Sequence, residues 1–175
     1  MSEQTLTPPP GAPEEVITKS LIREVDLTAF GYAGKIALIT LDNGLDFNRP
    51  NTLGPQTLKE LGDAITQAES LEVAAIAVTG KPFIFAAGAD LSGLSFVTER
   101  AQSLGIAKLG HDVFRRLGES KKKTFAFING LALGGGLEIG LHCHYRTLAS
   151  TAFTALLKYS SASFRDGVAR LSCRS

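Results

Sequence analysis

The chain has 175 residues, of which 44% are hydrophobic, and a formal net charge of +1 at pH 7. This length is typical of one domain with a sizeable core, and the near-neutral charge excludes the basic surface of a nucleic-acid-binding protein. The two cysteines, Cys143 and Cys173, have neither zinc-site spacing nor the density of a disulfide framework, so we expect a cytoplasmic protein without a metal. Without a signal-peptide pattern or a long apolar run, we also expect no membrane span.

The first half of the chain predicts a tail, two strands and a helix. Residues 1–16 hold four of the seven prolines and are predicted to be a disordered tail. Apolar residues around 21–27 and at 35–41 predict two strands, with glycines at 31–34 in the turn between them. Residues 54–70, GPQTLKELGDAITQAES, carry apolar residues three and four positions apart, which predicts an amphipathic helix.

Two short apolar runs in the second half predict strands that are buried on both faces. They are AAIAVTG at 74–80 and TFAFING at 124–130. Between them we expect a loop at 81–90, KPFIFAAGAD, and a long helix over 99–117.

The last predicted elements are a helix that starts within Gly134 to Gly136 and ends near His142, and a strand around 145–149. Strands and helices therefore alternate along the chain. The pattern predicts an α/β domain whose strands are parallel wherever a helix connects them.

Small residues follow both buried strands: AAGAD at Ala86 to Asp90, and LGGG at Leu133 to Gly136. Ligands of α/β sheets gather at the carboxyl ends of strands, and glycine lets the backbone approach a bound group closely. Amides at a helix N-terminus also carry partial positive charge. Two such loops side by side would aim two N–H groups at one oxygen, which is an oxyanion hole.

Glu138 is the one carboxylate in the apolar segment after these glycines. We expect its apolar neighbours to restrict its solvation and raise its pKa, as a general acid or base near neutral pH requires. The alternative is that the glycines form only a tight turn and that Glu138 faces water near the helix N-terminus.

Other kinds of site fit the same residues less well. A nucleotide P-loop requires Lys-Ser/Thr after its glycines, where this chain has Leu137 and Glu138. GLALGG is not a dinucleotide fingerprint with a suitable acidic residue downstream. His142 and His144 are two positions apart, a spacing that splays side chains on a helix, so we expect no metal there.

The sequence resembles the crotonase, or enoyl-CoA hydratase/isomerase, superfamily from about Lys19 to Phe153. The resemblance lies in KIALITLDN, RPNTLGPQTLKEL, FAAGADL and INGLALGGGLEIGLHC. It implies a crotonase-like spiral of ββα units, an acyl-CoA thioester as ligand, and no cofactor, since coenzyme A is part of the substrate. The chain looks like the hydratase part of multifunctional fatty-acid oxidation proteins, in which a 3-hydroxyacyl-CoA dehydrogenase follows. Intact members assemble as homo-oligomers or within such larger proteins.

By this resemblance, the amides of Ala89 and Gly135 hold the thioester oxygen, and Glu138 activates the water that adds to the 2,3 double bond. Ala87 and its neighbours line the adenine and pantetheine site through backbone groups. Asp90 caps the following turn, and His144 stands where many members have aspartate, which affects packing more than chemistry. The implied substrate-binding residues are Ala87, Gly88, Ala89, Asp90, Leu91, Gly134 and Gly135.

The resemblance ends after Phe153. The family pattern continues Pro-Glu-Val, Gly and Pro-Gly-Trp-Gly-Gly, and its glutamate is the second catalytic carboxylate. This chain reads ALLKYSSASFRDGVARLSCRS, with Lys158 near the position of that glutamate. An offset reading frame from Leu156 is compatible with the family motif, so we interpret residues 157–175 as an aberrant, frameshifted tail and 17–156 as a partial crotonase-like domain. A GAC codon for Asp166 would exclude this interpretation.

Three hypotheses remain open from the sequence. The chain is a hydratase domain of fatty-acid β-oxidation with little or no activity, a binding module that keeps acyl-CoA affinity without chemistry, or a fragment that does not fold stably because a large apolar surface stays uncovered.

Overall fold

The computed structural model describes residues 13–89 and 100–156. Within these ranges the elements form three strand–strand–helix units followed by a pair of strands. In chain order they are β1 (Lys19–Asp26), β2 (Lys35–Asp42), α1 (Pro55–Ser70), β3 (Ala75–Gly80), β4 (Phe83–Ala86), α2 (Arg100–Glu119), β5 (Lys123–Ile128), β6 (Gly130–Leu133), α3 (Gly135–His142), β7 (Tyr145–Leu148) and β8 (Thr154–Ala155).

The strands form two sheets, and every pair of strands after the first contributes one strand to each. The larger sheet has the order β1-β2-β3-β5-β7, and the smaller has the order β4-β6-β8. The β1–β2 pair is antiparallel, whereas every later pair is parallel, as expected where a helix connects the strands. After the hairpin, each unit places its first strand in the large sheet and its second in the small sheet. This progression is the predicted spiral of ββα units.

The core forms between the helices and the large sheet. The predicted face of α1 is buried, with Leu61 and Ile65 fully inaccessible, and β3 is buried along nearly its whole length, as its apolar run indicates. From α2, Val113 and Leu117 pack into the same cluster. Removal of this apolar surface from water supplies the main driving force for the fold.

Two predicted segments are wrong, because four-residue strands were missed within one of them and at the end of the other. Residues 81–90, expected to form a loop, contain β4, and the run expected as one strand over 124–130 is divided into β5 and β6 at Asn129. The amide nitrogen Nδ2 of Asn129 donates to the carbonyls of Gly80 and Lys81, at 3.0 and 2.8 Å, which fixes the corner between the two sheets.

The N-terminal end of α1 is capped by a residue from the predicted tail. The carboxylate of Glu15 accepts hydrogen bonds from the amides of Gln56 (3.0 Å) and Thr57 (2.9 Å). These amides lie in the first turn of α1 and have no partner within the helix. Glu15 therefore contributes to the folded part of the chain, two residues before the predicted domain boundary at residue 17.

None of the helices in the described ranges is both long enough and apolar enough to cross a lipid bilayer.

Candidate active site

The run of three glycines forms the entry into α3. Gly134 precedes the helix with φ of +49°, a backbone conformation that side chains disfavour, and its amide donates to the carbonyl of Ala155 at 2.9 Å. The carbonyl of Gly134 then accepts the first helical hydrogen bond, from the amide of Glu138, at 3.0 Å. Gly135 is the first residue of the helix, so its amide points out of the N-terminal end.

The end of β4 packs directly on this turn. A β-carbon on Gly136 would lie 2.0 Å from the carbonyl oxygen of Ala86, which is far inside van der Waals contact. Likewise, a β-carbon on Gly88 would lie 3.0 Å from the carbonyl oxygen of Leu133 and 3.8 Å from the α-carbon of Gly134. The two glycine loops singled out in the sequence are therefore in contact.

Residues 87–89 are held from the other side by the segment before α1. The amide of Ala87 donates to the carbonyl of Asn51, and the amide of Leu53 donates to the carbonyl of Gly88, both at 2.8 Å. Leu53 and Ala89 form an isolated parallel bridge. Since the amide of Ala87 is already paired, this residue has only its carbonyl to offer a ligand.

The amides of Ala89 and Gly135 have no acceptor within the described part of the chain. Ala89 is exposed, and Gly135 is half-buried, so neither amide is enclosed by the core. Leu53 links the two positions, because its backbone pairs with Ala89 while its Cδ1 lies 3.1 Å from where a β-carbon on Gly135 would be. Two donors that have no acceptor among residues 13–89 and 100–156 thus border the same loop contact.

The expectation that Glu138 is shielded from solvent is wrong. Its side chain is exposed, while its neighbours Leu137 and Ile139 are 6% and 0% exposed. Successive residues of a helix project about 100° apart, so apolar neighbours in sequence turn toward the core while Glu138 turns away from it. The structure therefore agrees with the alternative in which this carboxylate faces water near the helix N-terminus.

The histidines near α3 make separate contacts. The Nδ1 atom of His142 lies 2.8 Å from the carbonyl oxygen of Glu138, and its ring packs edge-on against that of His111. The Nδ1 atom of His144 accepts a hydrogen bond from the amide of Thr124 at 3.1 Å. Within the described ranges, no group of three or more His, Cys, Asp or Glu side chains is placed to hold a metal ion.

Two further residues of the expected substrate site, Asp90 and Leu91, lie outside the described residues. Sequence reasoning missed Asn51 and Leu53, which hold the 87–89 loop. Both residues lie in RPNTL, directly before the predicted helix. A polar residue followed by an apolar one in this place does not indicate which part of the chain either of them contacts.

Comparison with known proteins identifies the family. The family model described as "Enoyl-CoA hydratase/isomerase" matches residues 33–167. The chain therefore belongs to the enoyl-CoA hydratase/isomerase family, in agreement with the resemblance of its two glycine loops. This match ends at residue 167, so it includes part of the segment 157–175 that is predicted above to be an aberrant tail.

Two relatives are similar to this chain over about two thirds of its length. A short-chain-enoyl-CoA hydratase of Clostridium acetobutylicum is 41% identical over 127 residues, which cover 68% of this chain and 45% of that protein. A fatty acid oxidation complex subunit alpha of Idiomarina loihiensis is 32% identical over 123 residues, covering 69% and 17%. The chain thus spans less than half the length of either relative.

A solved structure supports the crotonase fold. The enoyl-CoA hydratase of Bacillus anthracis superposes with a TM-score of 0.64 at 27% sequence identity, and the superposition covers 77% of this chain and 50% of that one. The ββα spiral of the described residues is therefore a fold that this family uses.

Proposed function

We propose that the chain binds an acyl-CoA thioester and that the amides of Ala89 and Gly135 donate hydrogen bonds to the thioester oxygen. The single observation that carries this proposal is the contact between the two glycine loops, at whose border these two amides have no acceptor among the described residues. A pair of fixed donors stabilises the negative charge that develops on a thioester oxygen when a nucleophile attacks the conjugated system.

The reaction proposed for this site is the addition of water to a 2-enoyl-CoA, as in fatty-acid β-oxidation. In this step Glu138 accepts a proton from water as the hydroxyl oxygen bonds to C3. The enolate then collapses as C2 takes a proton from a second water molecule, and the proton held by Glu138 neutralises the hydroxide that remains. The family pattern uses a second glutamate, whereas this sequence has Lys158 near that position. Together with the exposure of Glu138, this supports a chain that binds the thioester but hydrates it slowly or not at all.

The contribution of the thioester oxygen to binding can be measured by comparing two ligands that differ only at this oxygen. Butyryl-CoA has the thioester carbonyl, while S-butyl-CoA is the matched thioether that lacks it. We define the thioester preference as the ratio of their affinities, measured by titration calorimetry on the full chain. Two hydrogen bonds to the thioester oxygen, at about tenfold each, predict a preference on the order of a hundredfold. Equal affinities, or no binding of either ligand, would contradict the proposal.

Hydration is measured separately with crotonyl-CoA as substrate. We expect the rate of the wild-type chain to be close to that of Glu138→Ala, because Glu138 is exposed and the second carboxylate of the family pattern is replaced in this sequence. A wild-type rate well above that of Glu138→Ala would show that the chain is a working hydratase.

Cytoplasmic location, the lack of a cofactor, and assembly into homo-oligomers or a multifunctional complex remain part of this proposal. Assembly is supported by the similarity to proteins named as subunits of a fatty acid oxidation complex.

A further inference from the structure

Asn51 is a buried polar side chain whose hydrogen-bonding groups are all used. It is 0% exposed, and its Nδ2 donates to the carbonyls of Leu41 (2.8 Å) and Phe85 (3.2 Å). Its Oδ1 accepts a hydrogen bond from the amide of Asn43 at 3.1 Å. One side chain therefore ties together the end of β2, the end of β4 and the loop that follows β2.

The main chain beside Asn51 carries this anchoring to the candidate site. Its carbonyl accepts the hydrogen bond from the amide of Ala87, and two residues later Leu53 pairs with Gly88 and Ala89. Residues 51–53 thus run alongside residues 87–89 as a short parallel support. The side chain of Asn51 therefore holds residue 51 against both sheets, directly beside the loop that carries the amide of Ala89.

We propose that Asn51 is a positioning residue for the thioester site, acting through Ala87 to aim the amide of Ala89. This inference rests on the function proposed above. Asparagine suits the position because it combines two donors with one acceptor, whereas aspartate offers no donor to the carbonyls of Leu41 and Phe85. Alanine leaves all three backbone partners without a hydrogen bond.

Asn129 provides a matched control within the same chain. Its Nδ2 also donates to two carbonyls, those of Gly80 and Lys81, and its Oδ1 accepts from the amide of Gly80 at 3.2 Å. Within the described residues, Asn129 makes no hydrogen bond to the 87–89 loop. Asn129→Ala therefore removes the same number and kind of bonds at a different corner of the fold.

The experiment compares the wild-type chain, Asn51→Ala, Asn51→Asp and Asn129→Ala by two measurements. Amide hydrogen exchange reports the loop directly: we expect exchange at Ala87 to rise at least about tenfold in both Asn51 variants and to stay unchanged in Asn129→Ala. The thioester preference reports the direction of the Ala89 amide: we expect it to fall about tenfold in the Asn51 variants, which keep the amide of Gly135, and to stay unchanged in Asn129→Ala. Asn51→Asp keeps the size of the side chain, so this variant takes the place of Asn51→Ala in both measurements if Asn51→Ala does not fold.

Each outcome has one meaning. Unchanged exchange at Ala87 in the Asn51 variants overturns the positioning role, and so does a loosened loop with an undiminished thioester preference. An equal loss of preference in Asn129→Ala also overturns it, because general destabilisation would then suffice. A wild-type chain without thioester preference overturns the proposed function itself, and the role of Asn51 in it.

Discussion

The carbonyl oxygen of Ala86 lies where a side chain on Gly136 would have to begin, at 2.0 Å from the position of its β-carbon. This contact joins the end of β4 to the first turn of α3. It leaves no space for a side chain at position 136, so only glycine fits there. It also explains how two loops about 45 residues apart in sequence come to share one corner of the fold.

Gly136→Ala is expected to destabilise the chain strongly, because the obstructing atom belongs to the backbone and cannot rotate away. Overpacking of this kind costs about 1–3 kcal/mol or more in the free energy of unfolding. Gly62→Ala is the matched control, a buried helical glycine whose added β-carbon would meet its nearest side-chain atoms at an ordinary 3.5 Å. There the better helix propensity of alanine predicts a neutral or slightly stabilising effect. Urea unfolding of both variants tests this; equal stabilities would contradict the close contact.

Lys81 organises the loop after β2 from a buried position. Its ammonium group is next to four oxygens: Oδ1 of Asn43 at 2.5 Å, and the carbonyls of Leu45, Asp46 and Arg49 at 2.9, 2.9 and 2.7 Å. With 4% of its surface exposed, Lys81 is almost entirely inside the protein.

Lys81→Met is expected to lower the free energy of unfolding by about 1–3 kcal/mol, since it removes the one buried ammonium group that donates to these four part-buried oxygens. Lys35→Met is the control, because Lys35 pairs with Glu24 at the surface at 3.1 Å with half of its side chain exposed. Such a pair contributes at most about 1 kcal/mol. Chemical denaturation of both variants measures the difference, and comparable losses would argue against the buried role of Lys81.

Cys143 is buried, and burial raises the pKa of its thiol from 9.0 to about 11, despite opposing contributions from Thr124 and Arg146. In a Cys173→Ser variant, where Cys143 is the remaining cysteine, we expect very slow labelling by a thiol reagent at pH 8 and rapid labelling in denaturant. Because the folded state disfavours the thiolate, this group contributes stability below pH 9.0 that is lost as the pH rises toward 11. Native labelling at the denatured rate would contradict this environment.

His144 tests whether the departure from the aspartate common in the family affects packing alone. Its Nδ1 accepts a hydrogen bond from the amide of Thr124, a residue that is 0% exposed. An aspartate oxygen at position 144 would accept the same hydrogen bond. We expect His144→Ala to cost about 1–3 kcal/mol, the penalty for an unsatisfied buried donor, and His144→Asp to cost clearly less. Thermal or urea unfolding measures the stability of both variants. Equal losses of stability would show that the hydrogen bond to Thr124 does not account for the effect of His144.

Much of the fold was predictable because its signals are local. The 3.6-residue period of α1 and the continuous apolar runs of β3 and β5 each lie within one segment of sequence. The strands β4 and β6 were not predicted, since each has four residues and pairs with a strand that is distant in sequence. Their existence depends on how the units stack, which no short window contains.

For the candidate site, the sequence predicted only that the two glycine loops lie side by side. The glycines indicated where backbone comes close, but the orientation of Glu138 depends on which face of α3 meets the core, and neighbouring apolar residues gave the wrong answer. The hydrogen bonds of Asn51 join three separate segments, so neither spacing nor composition reveals them.

The most direct test of the central claim removes one of the two amides. Gly135→Pro deletes the N–H at the first helical position, where proline is well tolerated, and Gly135→Ala adds a β-carbon but keeps the N–H. The β-carbon that both variants add would meet the flexible side chain of Leu53 at 3.1 Å. We predict that the thioester preference, measured by titration calorimetry, is kept in Gly135→Ala and falls about tenfold in Gly135→Pro. A folded Gly135→Pro chain that still prefers butyryl-CoA over S-butyl-CoA as strongly as the wild type would contradict the account.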